Sequence, residues 1–159
     1  MAVDMFLKIE GVKGESKDDA HKDEIDVLAW SWGMTQSGTT HMGGGGGSGK
    51  VSVQDLSITK YVDSSSPAIM QKCCNGSHFP EAMLTVRKAG GSPIEYVKIK
   101  MKEVLISSVS SGGSGDQDRV TENVMLNFSF FEHTYTEQTK DGSAGASIPT
   151  TWDIKKNVP

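Results

Sequence analysis

Glu24-Ile-Asp-Val-Leu-Ala-Trp-Ser-Trp-Gly-Met34 leads on to Gly43-Gly-Gly-Gly-Gly-Ser-Gly-Lys50. The first piece reads as a strand. The second has the outline of a phosphate-binding loop, and its reading decides between a nucleotide enzyme and an all-β module. Gly44, Gly49 and Lys50 meet the G-x-x-x-x-G-K spacing, but the next position is Val51 rather than the Ser or Thr whose hydroxyl holds Mg²⁺. Such a loop must also open a helix, so that the helix N-terminus faces the phosphates. The chain instead continues as Lys50-Val-Ser-Val-Gln-Asp-Leu-Ser-Ile-Thr-Lys-Tyr-Val62, rich in β-branched residues and strand-like. The glycine tract is therefore read as a hairpin tip between two strands. Six glycines in seven positions cost much conformational entropy to order. Such a tip is either disordered alone or ordered against a partner, which makes it a candidate assembly contact.

Working outward, Leu28, Trp30, Trp32 and Met34 share one face of the first strand and are expected to fill the core. The opposite face carries Ile25, Val27, Ala29, Ser31, Gly33 and Thr35. It is small and only partly apolar, and a fully solvated face would carry more charge. A cover is expected there, from a neighbouring chain or a cavity wall.

Residues 4–10 alternate as a short first strand, and residues 11–23 are a polar loop. Ser66 and Pro67 suit the cap and first turn of a short helix with Ile69, Met70 and Cys73 as its apolar stripe and Gly76 as its stop. Residues 79–89 read as a strand and 90–93 as a turn. Residues 94–110 read as a longer strand with Val97, Ile99, Met101 and Leu105 inward and Lys98, Lys100 and Lys102 outward. Residues 119–136 are expected as one strand with Val120, Val124, Leu126, Phe128 and Phe130 inward, and residues 150–158 as the last, with Trp152, Ile154 and Val158 alternating. About seven strands, one helix and no βαβ rhythm argue for an all-β sandwich or barrel.

A chain of 159 residues is read as a single domain, 1–159, long enough for its own core. Its net charge of −4, with both signs dispersed, lacks the basic footprint of a nucleic-acid binder. No apolar run reaches the length of a membrane span. The N-terminus has no basic segment followed by an apolar one, so cytoplasmic synthesis is expected, and any export by a route that reads no N-terminal signal. Cys73 and Cys74 are read as reduced thiols, at least one of them in the core. His21, His41, His78 and His133 lack zinc-ligand spacing and are read as surface or turn residues. No G-x-S-x-G elbow occurs, since Asp116 takes the last glycine position after Gly112-Gly-Ser114-Gly115. Neither a catalytic set nor a cofactor site is expected.

Taken in order, Ala2-Val-Asp-Met-Phe-Leu-Lys-Ile9, Lys13-Gly-Glu-Ser16, residues 24–33, the glycine loop to Lys50 and Val53-Gln-Asp-Leu-Ser57 resemble the Hcp family. These haemolysin-coregulated proteins are inner-tube subunits of bacterial type VI secretion systems. Leu84-Thr-Val-Arg-Lys-Ala-Gly90, Glu103-Val-Leu-Ile-Ser-Ser108, Arg119-Val-Thr-Glu-Asn123 and Trp152-Asp-Ile154 extend the likeness over essentially the whole chain. It is thinnest over residues 130–151, where Thr151 stands in place of an expected glycine.

The resemblance implies an all-β, two-sheet β-barrel with one short flanking α-helix and long glycine-rich loops, closed into a hexameric ring. Rings would stack into a tube within a contractile sheath, tipped by a VgrG spike, and leave the cytoplasm with small secreted effectors in the lumen. Ser31, small and polar, is the expected lumen contact. Gly90, Lys155, His41 and Met42 are the expected ring-stacking contacts, with Trp30, Trp32, Phe128 and Trp152 as core. The competing readings are a ligand- or effector-binding barrel that forms no ring, and a nucleotide-dependent enzyme using Gly44 to Lys50.

Overall fold

The computed structural model describes residues 3–38, 49–88 and 93–159. Among them the elements run β1 (Val3–Ile9), β2 (Ile25–Asp26), β3 (Ala29–Ser31), β4 (Met34–Gln36), β5 (Val51–Val53) and β6 (Leu56–Tyr61), then helix α1 (Ser66–Asn75). They continue with β7 (His78–Lys88), β8 (Ile94–Gly112), β9 (Thr121–Asn127), β10 (Phe130–Gln138) and β11 (Ala144–Asp153). The strands exceed the seven expected because several long runs are interrupted.

The main sheet follows the path β2-β1-β7-β8-β9-β6-β3. Both ends of that path belong to one segment, residues 25–31. Ile25 and Asp26 pair with Leu7 and Phe6, and the Val27 N–H donates to the Met5 carbonyl. The Leu28 N–H donates to the Thr59 carbonyl, and Ala29–Ser31 pairs with β6. A single segment thus bonds to both edges and closes the sheet into a barrel. β10 leaves this path to pair with the first part of β8 on one side and with β11 on the other. β4 and β5 pair separately, Met34 with Val53 and Gln36 with Val51, as a hairpin about the glycine tract requires.

This handover explains why the expected faces of the tryptophan strand reverse over residues 25–28, while Trp30 and Trp32 pack on the core and Ala29 and Ser31 face outward as expected. Ile25 and Val27 are buried, whereas Leu28 and Met34 are 41% and 44% exposed. The segment changes neighbours at residues 27–28, and each break resets the two-residue alternation. Trp30 and Trp32 are half-buried against the core rather than inside it, and Trp152 is likewise. Trp32 stands edge-on to Phe131 at 4.8 Å, and its Nε1–H donates to the Gln54 carbonyl at 2.9 Å.

β8 turns a corner at Glu103, whose φ of 52° lies in the left-handed region. Before it Ile99 and Met101 are buried; after it Val104 and Ile106 are, in place of the expected Leu105. At this corner β8 exchanges β10 for β9 as its neighbour. A second break, at residues 128–129, divides the expected run 119–136 and buries Phe131 in place of Phe130; Val120 is 50% exposed. The last strand ends at Asp153 rather than reaching Val158, which returns only as an isolated bridge to Asp153.

α1 lies against β8 and buries Ile69, while Met70 is exposed. Gly76 ends the helix at φ 68°, its N–H on the Lys72 carbonyl. Ser65 occupies the cap position instead of Ser66, whose hydroxyl is drawn into a buried polar cluster with Lys60 and Glu122. Cys73 is half-buried and Cys74 exposed, so neither lies fully inside the core.

Candidate functional site

The register aligns two rows of outward side chains across β3, β6, β9 and the end of β8. Ser31 pairs with Ser57, Ser57 with Met125, and Met125 with Ser108. Ala29, Thr59, Asn123 and Ser110 form the parallel row, with Thr59 Oγ1–H donating to Asn123 Oδ1 at 2.7 Å. Between these rows the alternate residues Ile58, Val124 and Leu126 point into the core. The outward surface carries no formal charge at these positions. Charge begins at its ends. Asp55 accepts from Ser107 Oγ at 2.6 Å and Asn127 Nδ2 at 2.8 Å, and the Arg119 guanidinium lies 3.8 Å from the Tyr61 ring centre.

The opposite surface has another character. Lys8, Met83, Lys100 and Glu132 align across β1, β7, β8 and β10. Lys98 pairs with Glu95 at 3.0 Å, Lys100 with Glu81 at 3.6 Å, and Lys102 covers the Phe130 ring. The expected lysine row is thus a solvated, ion-paired face. Among the described residues, no group of three or more His, Cys, Asp or Glu side chains could hold a metal ion. Val51 follows Lys50 into β5, and no helix begins there.

Ser31 is exposed on the neutral face, as its small polar character suggested. Lys155 is exposed too, in the turn after β11 rather than within the terminal strand. Its Nζ lies 3.1 Å from Glu103 Oε2, which also accepts from Ser129 Oγ at 2.7 Å. These two bonds hold the Glu103 carboxyl below its usual range. Gly90, His41 and Met42 lie outside the described residues.

Three polar clusters escaped the sequence. Lys60 and Glu122 are buried together beneath the neutral face. Arg87 bridges Asp18 and Asp4 at 2.5 and 3.0 Å, and its hydrogen bond to Asp18 lowers that carboxyl to about 2. His21 is buried rather than superficial, set between Glu24 and Glu95. Lys60 and Glu122 did leave a signal. They occupy inward positions in Leu56-x-Ile58-x-Lys60 and Glu122-x-Val124-x-Leu126. Arg87 left none, and neither did the contact of His21 with Glu95, because these partners lie far away in the chain.

An antiparallel barrel with one neutral and one ion-paired face, closed by a single shared segment, is the frame of a β-barrel assembly protein. Comparison with known proteins narrows the class. The family model described as type VI secretion system effector, Hcp, matches residues 6–135. Protein hcp1 of Pseudomonas aeruginosa is 61% identical over 160 residues, covering 99% of each chain. The crystal structure of Hcp1 from Salmonella typhimurium superposes with a TM-score of 0.84 at 40% identity, over 99% of both chains. A solved type six secretion system protein gives a TM-score of 0.92 at 31% identity, over 98% of both. The chain belongs to the Hcp family of type VI secretion proteins.

Proposed function

We propose that this chain is the inner-tube subunit of a bacterial type VI secretion system. Six copies close into a ring, and rings stack into a tube that is expelled with a VgrG spike by a contractile sheath. The protein acts as structure and carrier, without catalysis, and leaves the cytoplasm by that route. Family membership over the whole barrel supports the tube. The observation that carries the wall assignment is the neutral face around Ser31. A conduit for varied cargo is best lined by small uncharged groups, since a strongly charged wall would hold or repel passing surfaces. Ser31 then contacts small effectors in the lumen.

Ring stacking falls to Gly90, Lys155, His41 and Met42. Lys155 supports this by its exposure in the turn beside Glu103. Electron microscopy of the purified protein, with its solution mass measured alongside, tests the reading. Six-fold rings are expected. A monomer across a wide concentration range overturns it and leaves a ligand-binding barrel.

A further inference from the structure

Between β1 and β2 the chain forms a strap over the barrel. It is internally bonded, Gly14 N–H to the Asp23 carbonyl at 2.7 Å and Ser16 N–H to the Glu24 carbonyl at 3.0 Å. Three side chains of residues 14–24 tie it outward. Glu15 Oε2 accepts from the Ser64 N–H at 2.8 Å, Asp18 pairs with Arg87, and His21 reaches Glu95 on β8. The third tie differs from the others. The His21 ring is 7% exposed and stacked flat on Phe6, with ring centres 4.4 Å apart. Its Nε2 lies 2.6 Å from Glu95 Oε1, and its Nδ1 lies 2.9 Å from Glu24 Oε2.

An ionised carboxylate only accepts hydrogen bonds. A ring that bridges two of them must donate from both nitrogens, and only the imidazolium does so. Neutral imidazole would turn a lone pair toward one carboxylate, in a place with little water to relieve the contact. We propose that His21 is a proton-dependent clasp: its imidazolium holds residues 14–24 on the barrel, and loss of the proton releases them.

The surrounding charges fit this assignment. On the strap itself are Glu24 and Asp18, the latter engaged by Arg87 of β7, whose guanidinium lies 5.0 Å from the Phe6 ring centre. From β8 come Glu95 and Lys98, and Lys8 of β1, Glu10 just after it and Glu81 of β7 line the same cavity. Burial opposes the charge on Glu95, but the hydrogen bonds from Lys98 and His21 outweigh it and lower its pKa. Glu95 therefore stays charged well to the acid side. The Arg87–Asp18 tie is constant in the neutral range, since Asp18 is lowered to about 2 and Arg87 is raised. The clasp accordingly depends on the proton that the ring carries between two carboxylates, whereas the Arg87–Asp18 tie does not.

Hydrogen exchange on the full chain tests the proposal, followed between about pH 5 and about pH 8 and corrected for intrinsic amide rates. Strap amides should open roughly tenfold more often on the alkaline side while β1 and β7 amides stay unchanged, and His21→Gln should be open throughout. Wild-type protection that is flat with pH overturns the clasp, as does a His21→Gln strap as closed as the wild type at the acid end. If that variant does not fold, ring ¹⁵N signals of the wild type decide. Both nitrogens should be protonated at the acid end, with strap amide shifts following the same midpoint. Two distinct midpoints, or a single protonated nitrogen at the acid end, overturn the proposal.

Discussion

Lys60 Nζ lies 2.5 Å from Glu122 Oε1, and neither side chain reaches solvent. The Tyr61 carbonyl at 2.9 Å, Asp63 Oδ1 at 3.0 Å and Ser66 Oγ at 3.2 Å also surround the ammonium, whose three N–H groups are shared among these four acceptors. Ser66 Oγ–H donates to Glu122 at 2.6 Å, so the first turn of α1 is bolted to β6 and β9 through the Lys60–Glu122 pair, with Asp63 as the second carboxylate on Lys60. Buried charge is costly to desolvate, and an arrangement of this kind fixes a helix to one place on the sheet more than it adds net stability.

Glu122→Ala should therefore destabilise the barrel by about 1.5–3 kcal/mol, the scale of a lost charge-assisted hydrogen bond, because Lys60 keeps Asp63 as its remaining carboxylate. Replacing both residues, Lys60→Met with Glu122→Leu, should recover most of that loss. Urea midpoints of the three proteins measure it. A double variant no better than Glu122→Ala would mean that the hydrogen bonds, rather than the lost charge pairing, dominate.

Asp18 gives the acid limb of the stability profile a defined position. Its carboxyl falls from an ordinary 3.8 to about 2, chiefly through the hydrogen bond from Arg87. A depressed carboxyl contributes stability that is complete above its ordinary value and fades as pH falls through the folded one. Side-chain carboxyl NMR should place its midpoint near 2, and Asp18→Asn should lose stability at neutral pH while gaining tolerance to acid.

Gly14 permits a close approach that no other residue allows. A Cβ there would collide with the backbone carbonyl of Glu24, which cannot swing aside as a side chain would. Gly14→Ala should cost about 1–3 kcal/mol and loosen the strap selectively. Thermal melting gives the first quantity and proteolysis within residues 14–24 the second.

Ser31→Gln should leave the ring intact and reduce retention of a co-expressed effector, because a longer side chain fills the neutral wall. Unchanged co-purification would remove Ser31 from the contact set. A bulky residue at Gly90 should stop tube growth before it harms the ring, as seen by comparing ring mass with filament length in micrographs.

The alternation in residues 56–61 and 121–128 announced the barrel interior, and Gly76 announced the helix end. Strand breaks were hidden, since what interrupts residues 25–36 is the change of partner from β1 to β6. Glu103 gives no hint in the sequence of a residue at positive φ. Charge carried in the wrong phase, as at Lys60 and Glu122, was visible as an anomaly, but its resolution needed two distant strands. The neutral face was foreseen at Ser31 alone, because only pairing reveals which serines and threonines stand side by side. His21 meets Glu95 across seven intervening elements among the described residues, a distance that local pattern cannot bridge.

The pairing of β1 with β7 sets an order on synthesis. Val3 meets Lys88, so β1 waits on the order of ten seconds after its own synthesis for its neighbour to be made. The wait extends further, because β6 gains its second neighbour only when β9 has emerged. Until then the nascent chain presents open edges of the kind that pair with the wrong molecule. For a subunit required in many identical copies, translated side by side, the hazard is greatest between siblings. The rate at which a cell can fill a tube is bounded by how well it keeps those half-made chains apart.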